Sequence, residues 1–444
     1  METLADRPTT LSPPAAAGTA PRAAGRSLGR AAGLPWPLTA AVLGATSIAV
    51  GLLWDISWHA SIGRDTFWTP AHLAIYLGGL LCGLPAGWLA LAITFAGGEE
   101  QRATSVDFWG FRAPLGAWVS IWGCIAMLTS APFDDWWHNA YGLDVTIISP
   151  PHVLLAAGIF GCQLGAMLLA LSVQNRAATA PGTAAAAGLG RAGTAGAEGR
   201  LLALVYAYSA GLLLVIVSTL FLEYSEPNNQ HGALFYEIGC AAYPLVLVAA
   251  ARGARLRWPA TTVAAIYMAV RMIVLWVLPL FPATPMLAPI YNPIRHMWPP
   301  FFPELLIVPA VAIDLLLRSR WGRQGERSRH LADGADGAPP PGNRPASGAG
   351  RRLALALALG AAFLATFLAA HWYFSEFMLT PAARNWFFAA DVWTYRSRPG
   401  PWRHQFWLRG EPFRAAAVPL CLLLAIVSAR LGLAWGDWMS RVRR

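Results

Sequence analysis

Apolar residues along this chain gather into ten blocks, mostly of about 17–25 residues, near 36–56, 70–96, 113–133, 151–173, 200–222, 235–251, 259–281, 301–318, 352–373 and 413–432. A helix of that length crosses a hydrocarbon core roughly 30 Å thick. A soluble fold would have to bury all ten blocks at once. The pattern therefore predicts an all-α integral membrane protein of about ten transmembrane helices, in contact with a lipid bilayer.

The segments between the blocks set the organisation. Residues 1–34 are rich in Ala, Pro, Thr and Arg without an apolar face, and read as a disordered tail. The first apolar block follows basic residues, as a signal peptide would, but it runs on to Asp55 without a small-residue cleavage site and is kept as a span. Two stretches rich in Ala, Gly, Pro and Arg, 176–199 and 319–350, read as flexible linkers. Arg is concentrated in alternate connections: Arg102 and Arg112, then Arg176, Arg191 and Arg200, then Arg252, Arg255 and Arg257, then the run from Arg318 to Arg352. The connections in between are nearly free of it up to the last, 374–412, which carries several Arg but is long enough to translocate regardless. This asymmetry predicts both termini in the cytoplasm of a bacterial inner (plasma) membrane.

Composition changes the picture little. Of 444 residues 56% are hydrophobic and 13% charged, with mean hydropathy +0.45. The net charge of +10 comes entirely from Arg, since the chain has no Lys. Its placement in short loops encodes membrane orientation and argues against a nucleic-acid partner. The five cysteines stand alone within or beside apolar blocks and form no CxxC pair, so they read as helix-packing residues. No phosphate-binding loop, nucleophile elbow or dinucleotide fingerprint is present.

The candidate chemistry lies in two connections placed on the outer side. WDISWHASIGRDTFWTPAH (54–72) and FDDWWHNAYGLDVTIISPPH (133–152) align as an internal repeat of a helix–loop–helix pair across the first four spans. Asp55 matches Asp134, His59 matches His138, Gly63 matches Gly142, and Asp65 matches Asp144. After a one-residue insertion His72 matches His152. Asp and His at i and i+4 share a helix face, and each second His follows a Pro suited to a first helical turn. Each pair of helices can therefore converge one carboxylate and two imidazoles into a facial metal-binding set. Asp65 and Asp144 would orient the imidazoles from behind, unless Asp65 simply pairs with Arg64. One such pattern at a span end needs no function. Two copies, each retaining costly polar groups near hydrocarbon, argue for one.

These residues resemble a known family. The run from Asp55 through Trp58, His59, Arg64, Asp65, Thr66, Thr69 and Pro70 to His72 closely resembles the motif of the C subunit of particulate methane and ammonia monooxygenases, the copper membrane monooxygenases. The resemblance implies that Asp55, His59 and His72 bind a catalytic metal, generally considered copper. His138 and His152 match the family's second cluster, where Asp134 replaces the usual Asn and leaves iron or zinc open as alternatives at that site. More weakly, YNPIRHMWPPFFPELLIVPAVAID (291–314) and FFAADVWTYRSRPGPWRHQF (387–406) resemble A-subunit segments. The chain then divides into a C-like region, 35–175, and an A-like region, 200–440. The outer loops are too short for the soluble cupredoxin domains of the family's B subunit, so that partner would be a separate subunit or absent, and the resemblance implies a homo- or hetero-oligomer. The implied activity is hydroxylation of a small substrate, in the class of ammonia, methane or short alkanes, by dioxygen. A copper-binding or copper-transfer membrane protein, or a non-catalytic scaffold subunit, would use the same ligands without oxygen chemistry.

Remaining polar residues read more blandly. EYSEPNNQHGALFYE (223–237) is a solvated polar loop, His371 an interfacial residue, and Asp314 a membrane-boundary marker. Most of the 21 Trp residues form an aromatic belt at span ends. Trp58, Trp68, Trp136 and Trp137 would in addition wall a substrate pocket. Arg271, inside the seventh span, is a costly cation whose partner the sequence does not name.

Overall fold

The computed structural model describes residues 30–31, 34–63, 68–142, 149–177, 197–319 and 347–444. The N-terminal tail, most of both linkers, and Arg64, Asp65, Thr66 and Asp144 lie outside the described residues.

The protein is an all-α integral membrane protein. Its longer helices are α1 (Trp36–Ser61), α2 (Pro70–Ala96), α4 (Leu115–Tyr141), α5 (Pro150–Ala177), α6 (Ala197–Leu220), α7 (Ala233–Gly253), α8 (Pro259–Val277), α10 (Ser347–Met378) and α11 (Val418–Met439). These nine are the helices long and apolar enough to cross a membrane among the described residues. Two short helices complete the set: α3 (Glu99–Ala103) and α9 (Ile307–Arg318). The block expected to span at 301–318 is helical only over the 12 residues of α9. That covers about 18 Å, roughly half a hydrocarbon core. The preceding Pro-rich backbone is irregular, and Pro299, Pro300 and Pro303 are buried in protein, the setting in which non-helical backbone survives at membrane depth.

The internal repeat is a structural repeat. The α1–α2 and α4–α5 hairpins cross at matching glycines: Gly44 on Gly78, and Gly123 on Gly158. Gly44 and Gly123 stand eleven residues before Asp55 and Asp134, and Gly78 and Gly158 six residues after His72 and His152. A Cβ on Gly44 would meet the Gly78 carbonyl at 2.6 Å, and one on Gly123 would meet the Cys162 backbone nitrogen at 2.6 Å. Such small-residue crossings replace the hydrophobic drive that lipid removes between helices. The cysteines obey the same register, with Cys82 Sγ 3.4 Å from the Ala41 carbonyl and Cys162 Sγ 4.0 Å from that of Ser120. Tight crossings below each cluster fix where the helix ends above must meet.

Around this four-helix unit, α6 is the central helix, with 72% of its span buried, against 33% for the peripheral α10 and α11. Asp314, in α9, is fully buried. It caps α8, accepting from the backbone N–H groups of Ala260 and Thr261 at 3.1 and 2.8 Å and from the Thr261 hydroxyl at 2.7 Å. Two connections of the second half close over the end of α1. The Ser57 hydroxyl donates to the Trp298 carbonyl (2.5 Å), the Trp298 N–H donates to Ser61 Oγ (2.6 Å), and Tyr395 N–H donates to the Ala60 carbonyl (3.2 Å). At the opposite end of the bundle the Asn175 amide donates to the Met439 and Val442 carbonyls.

Candidate metal centre

Local sequence explains how α1 and α2 present their polar ends. Gly63 ends α1 with φ 99 and Gly142 follows α4 with φ 86, the left-handed conformation glycine adopts without a Cβ penalty. Each following helix starts on a capped proline. The His72 N–H donates to Thr69 Oγ1 (3.2 Å) before Pro70, and the His152 N–H donates to Ser149 Oγ (3.4 Å) before Pro150. The capping bonds hold each second histidine's backbone at a helix start beside the preceding helix.

The residues of the first cluster meet. Asp55 Oδ1 lies 3.6 Å from His59 Nε2 and 3.1 Å from His72 Nε2, and one donor atom from each residue lies within 4.8 Å of the others. In the second, Asp134 Oδ1 lies 3.3 Å from His138 Nε2 and 3.6 Å from His152 Nε2. Donors bound at about 2.0–2.2 Å to one metal stand roughly 2.8–3.6 Å apart, depending on geometry. All four Asp–His separations fit, but among the described residues only Asp55, His59 and His72 bring one donor from each residue within 4.8 Å of the other two. Both Asp55 Oδ1 and Asp134 Oδ1 are buried atoms that take no hydrogen bond among the described residues. A buried carboxylate oxygen without a donor is costly, and facing two imidazoles it is poised to share a cation with them. The centres are not sealed: the His59 and His152 side chains are 41% and 37% exposed.

The two clusters are neighbours. Tyr76, one turn along α2 from His72, hydrogen-bonds Ser130, one turn before Asp134 on α4, and lies within Coulombic reach of both Asp55 and Asp134. Asp135 faces elsewhere, accepting from the Asn139 amide at 3.4 Å. Of the four tryptophans expected to wall a pocket, Trp68 and Trp136 are 72% and 54% exposed among the described residues.

One group escaped the sequence reading. Glu304, 2% exposed, accepts from the Ser225 hydroxyl at 2.5 Å and from the Tyr267 hydroxyl, and also bonds Tyr243. Arg271, 1% exposed, donates to the Phe301 carbonyl at 3.1 Å and acts with Glu304 on the same two tyrosines. Arg271 Nε and Nη1 take no hydrogen-bond partner among the described residues, so Glu304 shares its buried surroundings without closing an ion pair with it. The signal was there, since an acid inside an apolar block needs a partner as much as a base does. His371 is fully buried beside this group rather than interfacial, its Nε2 accepting the Leu305 N–H at 3.1 Å.

The connection 223–237, expected as a solvated polar loop, is largely buried, with Ser225, Asn228, Asn229 and Gln230 each 5% exposed or less, because the 374–412 connection packs over it. Arg409 pairs with Glu226 at 3.2 Å and Glu223 at 3.6 Å. His231 stacks between the rings of Trp372 and Phe406, with centroids 3.9 and 3.7 Å away. Burial lowers the His231 pKa below its ordinary 6.5, a shift the Trp372 carbonyl and Glu376 only partly oppose. With the folded pKa depressed, the unfolded segment binds more protons. The contribution is complete above pH 6.5 and is lost as pH falls toward the folded value. Corrected for intrinsic exchange, which itself slows as pH falls, exchange in 223–232 is therefore expected to show an excess of opening at pH 5.5 over pH 7.5. His231→Phe should remove that excess, and an unchanged pH response in the variant would refute the assignment.

No protein-family model, curated protein or solved structure matches this chain. What fold and site define is therefore a class, an integral membrane protein with paired Asp/His/His clusters at one end of its helix bundle.

Proposed function

We propose that this protein is a copper-dependent membrane monooxygenase, or a close functional analogue, that hydroxylates a small apolar substrate with dioxygen. The observation that carries the reading is the convergence of Asp55, His59 and His72, whose donor spacing suits one metal ion. Asp134, His138 and His152 would hold a second metal. Histidine suits copper, which heads the divalent affinity series, while the anionic Asp134 leaves iron or zinc open at the second site. Bound copper would supply the oxygen-activating chemistry. The chain's own part is to hold the ligands. Asp55 offers an anionic oxygen, His59 is set one turn away by α1, and the Thr69 cap fixes the backbone of His72.

Purified protein loaded with copper should hold metal in proportion to intact clusters and consume dioxygen with ammonia or a short alkane. Full metal without oxygen consumption under an added reductant would shift the reading to copper binding or transfer. Absence of stoichiometric metal would overturn both. A separate cupredoxin-like subunit and an oligomer remain part of the proposal and would appear on co-purification.

The Arg asymmetry supports both termini in the cytoplasm and both clusters on the outer face of the membrane. The five native cysteines are buried, which leaves a quiet background for labelling. Exposed Asn139→Cys is expected to react with an impermeant thiol reagent in intact cells, and exposed Glu100→Cys only after permeabilisation. The reverse pattern would invert the topology.

A further inference from the structure

Below the two clusters, four sulfur-bearing side chains gather in one layer of the four-helix unit. Cys82 stands ten residues after His72, Cys162 ten after His152, and Cys124 ten before Asp134. Ten residues of helix span about 15 Å, which sets all three near the middle of a hydrocarbon core roughly 30 Å thick. Cys82 and Cys162 are matched positions of the repeat, and their thiols meet between α2 and α5 in a side-chain hydrogen bond. Met127 brings a thioether from α4, its Sδ 3.7 Å from Cys162 Sγ. Cys82, Cys162 and Met127 are all fully buried.

Two features set this layer apart from the small-residue packing around it. Helix α2 makes room for the sulfurs on either side of Cys82: a Cβ on Gly79 would meet Met127 Sδ at 3.2 Å, and one on Gly83 would meet Cys124 Sγ at 2.5 Å. The sulfurs also depart from the repeat. The positions matching Cys124 and Met127 are Ala45 and Ile48, so the first hairpin contributes one of the four sulfurs and the second three. Ala and Ile serve packing at that depth, whereas the second hairpin turns soft, polarizable sulfur towards Cys82. The three thiols do not converge on one point among the described residues, which leaves Cys124 as a flank and Cys82, Cys162 and Met127 as the set.

We propose that Cys82, Cys162 and Met127 bind one soft monovalent cation, Cu(I). Metal–sulfur bonds of about 2.3 Å place two sulfurs roughly 3.7–4.6 Å apart, from a tetrahedral to a linear arrangement. The 3.7 Å between Cys162 and Met127 meets that range. Charge and softness select the ion. One thiol gives its proton to bulk water as its thiolate bonds Cu(I), while the second thiol and the thioether donate lone pairs and stay neutral. No electron is transferred, and the loaded site carries no net charge, which suits apolar surroundings. Hard cations do not choose sulfur. Zinc takes four nitrogen, oxygen or thiolate ligands and finds two thiols here. This site is separate from both Asp/His/His clusters and needs no oxygen chemistry.

The experiment loads full-length protein in lipid nanodiscs with Cu(I), without oxygen and against the chelator bicinchoninate, and records X-ray absorption at the copper edge. A copper–sulfur shell at about 2.3 Å is expected in the native protein. Replacing both thiols, Cys82→Ala with Cys162→Ala, should remove that shell and one copper per chain, whereas His59→Ala should keep the shell. Met127→Leu conserves volume and so spares the fold. It should weaken retention of the sulfur-bound copper by more than about tenfold, since loss of a ligand exceeds loss of a group that merely supports one. The proposal is overturned by native protein without a sulfur shell or by an unchanged shell in the double variant. Should the double variant not fold, unaltered retention in Met127→Leu overturns it, and the sulfurs then serve packing alone. Sulfur-bound copper in a protein that consumes no dioxygen would uphold this site and refute the oxygenase reading. Oxygen consumption by a protein without sulfur-bound copper would do the reverse.

Discussion

His59→Ala is expected to empty the first cluster and abolish oxygen consumption while leaving the fold intact. Asp55, His59 and His72 are three donors on two helix ends, and removing one leaves a bidentate site open to water. Affinity should fall by more than the roughly 10–100-fold that follows loss of a group merely supporting a metal ligand. The helices should not notice, because the hairpin is held by the Gly44–Gly78 crossing and by the Ser57 and Ser61 bonds to Trp298, none of which involves His59. Asp134→Asn provides the contrast. It keeps an oxygen donor 3.3 and 3.6 Å from its two histidines but removes the anion. Metal at the first cluster and activity should persist, while the second shifts its preference from hard, highly charged ions towards Cu(I). Metal stoichiometry and oxygen uptake on both variants decide the matter. An active His59→Ala variant with full metal would remove the catalytic assignment.

The second large effect concerns stability. Glu304→Leu and Arg271→Met should each destabilise the protein by about 1–3 kcal/mol, the range for leaving buried hydrogen-bonding groups unpaired. Glu304→Leu also leaves the Ser225 and Tyr267 hydroxyls without their acceptor. The double variant should be clearly less damaged than the sum of the singles, because neither charge is then left uncompensated. Denaturant or thermal unfolding of the four proteins in one detergent measures the cycle. Simple additivity would show that Arg271 and Glu304 do not compensate one another.

The clusters were legible because their information is local. Asp55 and His59 sit at i and i+4 on one helix, Pro70 and Thr69 start the next, and the connection between them is short. Such spacing limits the geometry before any long-range contact forms. The repeat carried the same message twice, down to Gly63 and Gly142. The span expected at 301–318 was less legible. Hydropathy counts apolar residues and does not register that four prolines between Pro299 and Pro309 deny the backbone its helical donors. Glu304 was hidden for the same reason, averaged away within an apolar window.

By itself the sequence determined that the chain is an all-α membrane protein, that its first four spans repeat, and that Asp55, His59 and His72 can meet. Hydrocarbon forbids unpaired backbone, so long apolar blocks have one outcome, and short connections leave adjacent helix ends little freedom. Only the tertiary structure decided that Tyr76 and Ser130 lie between the two sets and that Arg271 shares a buried centre with Glu304. Those relations depend on which helix packs beside which. In a membrane that choice is made by close-fitting small residues and scattered polar contacts, whose partners lie tens to hundreds of residues away and leave no periodic trace along the chain.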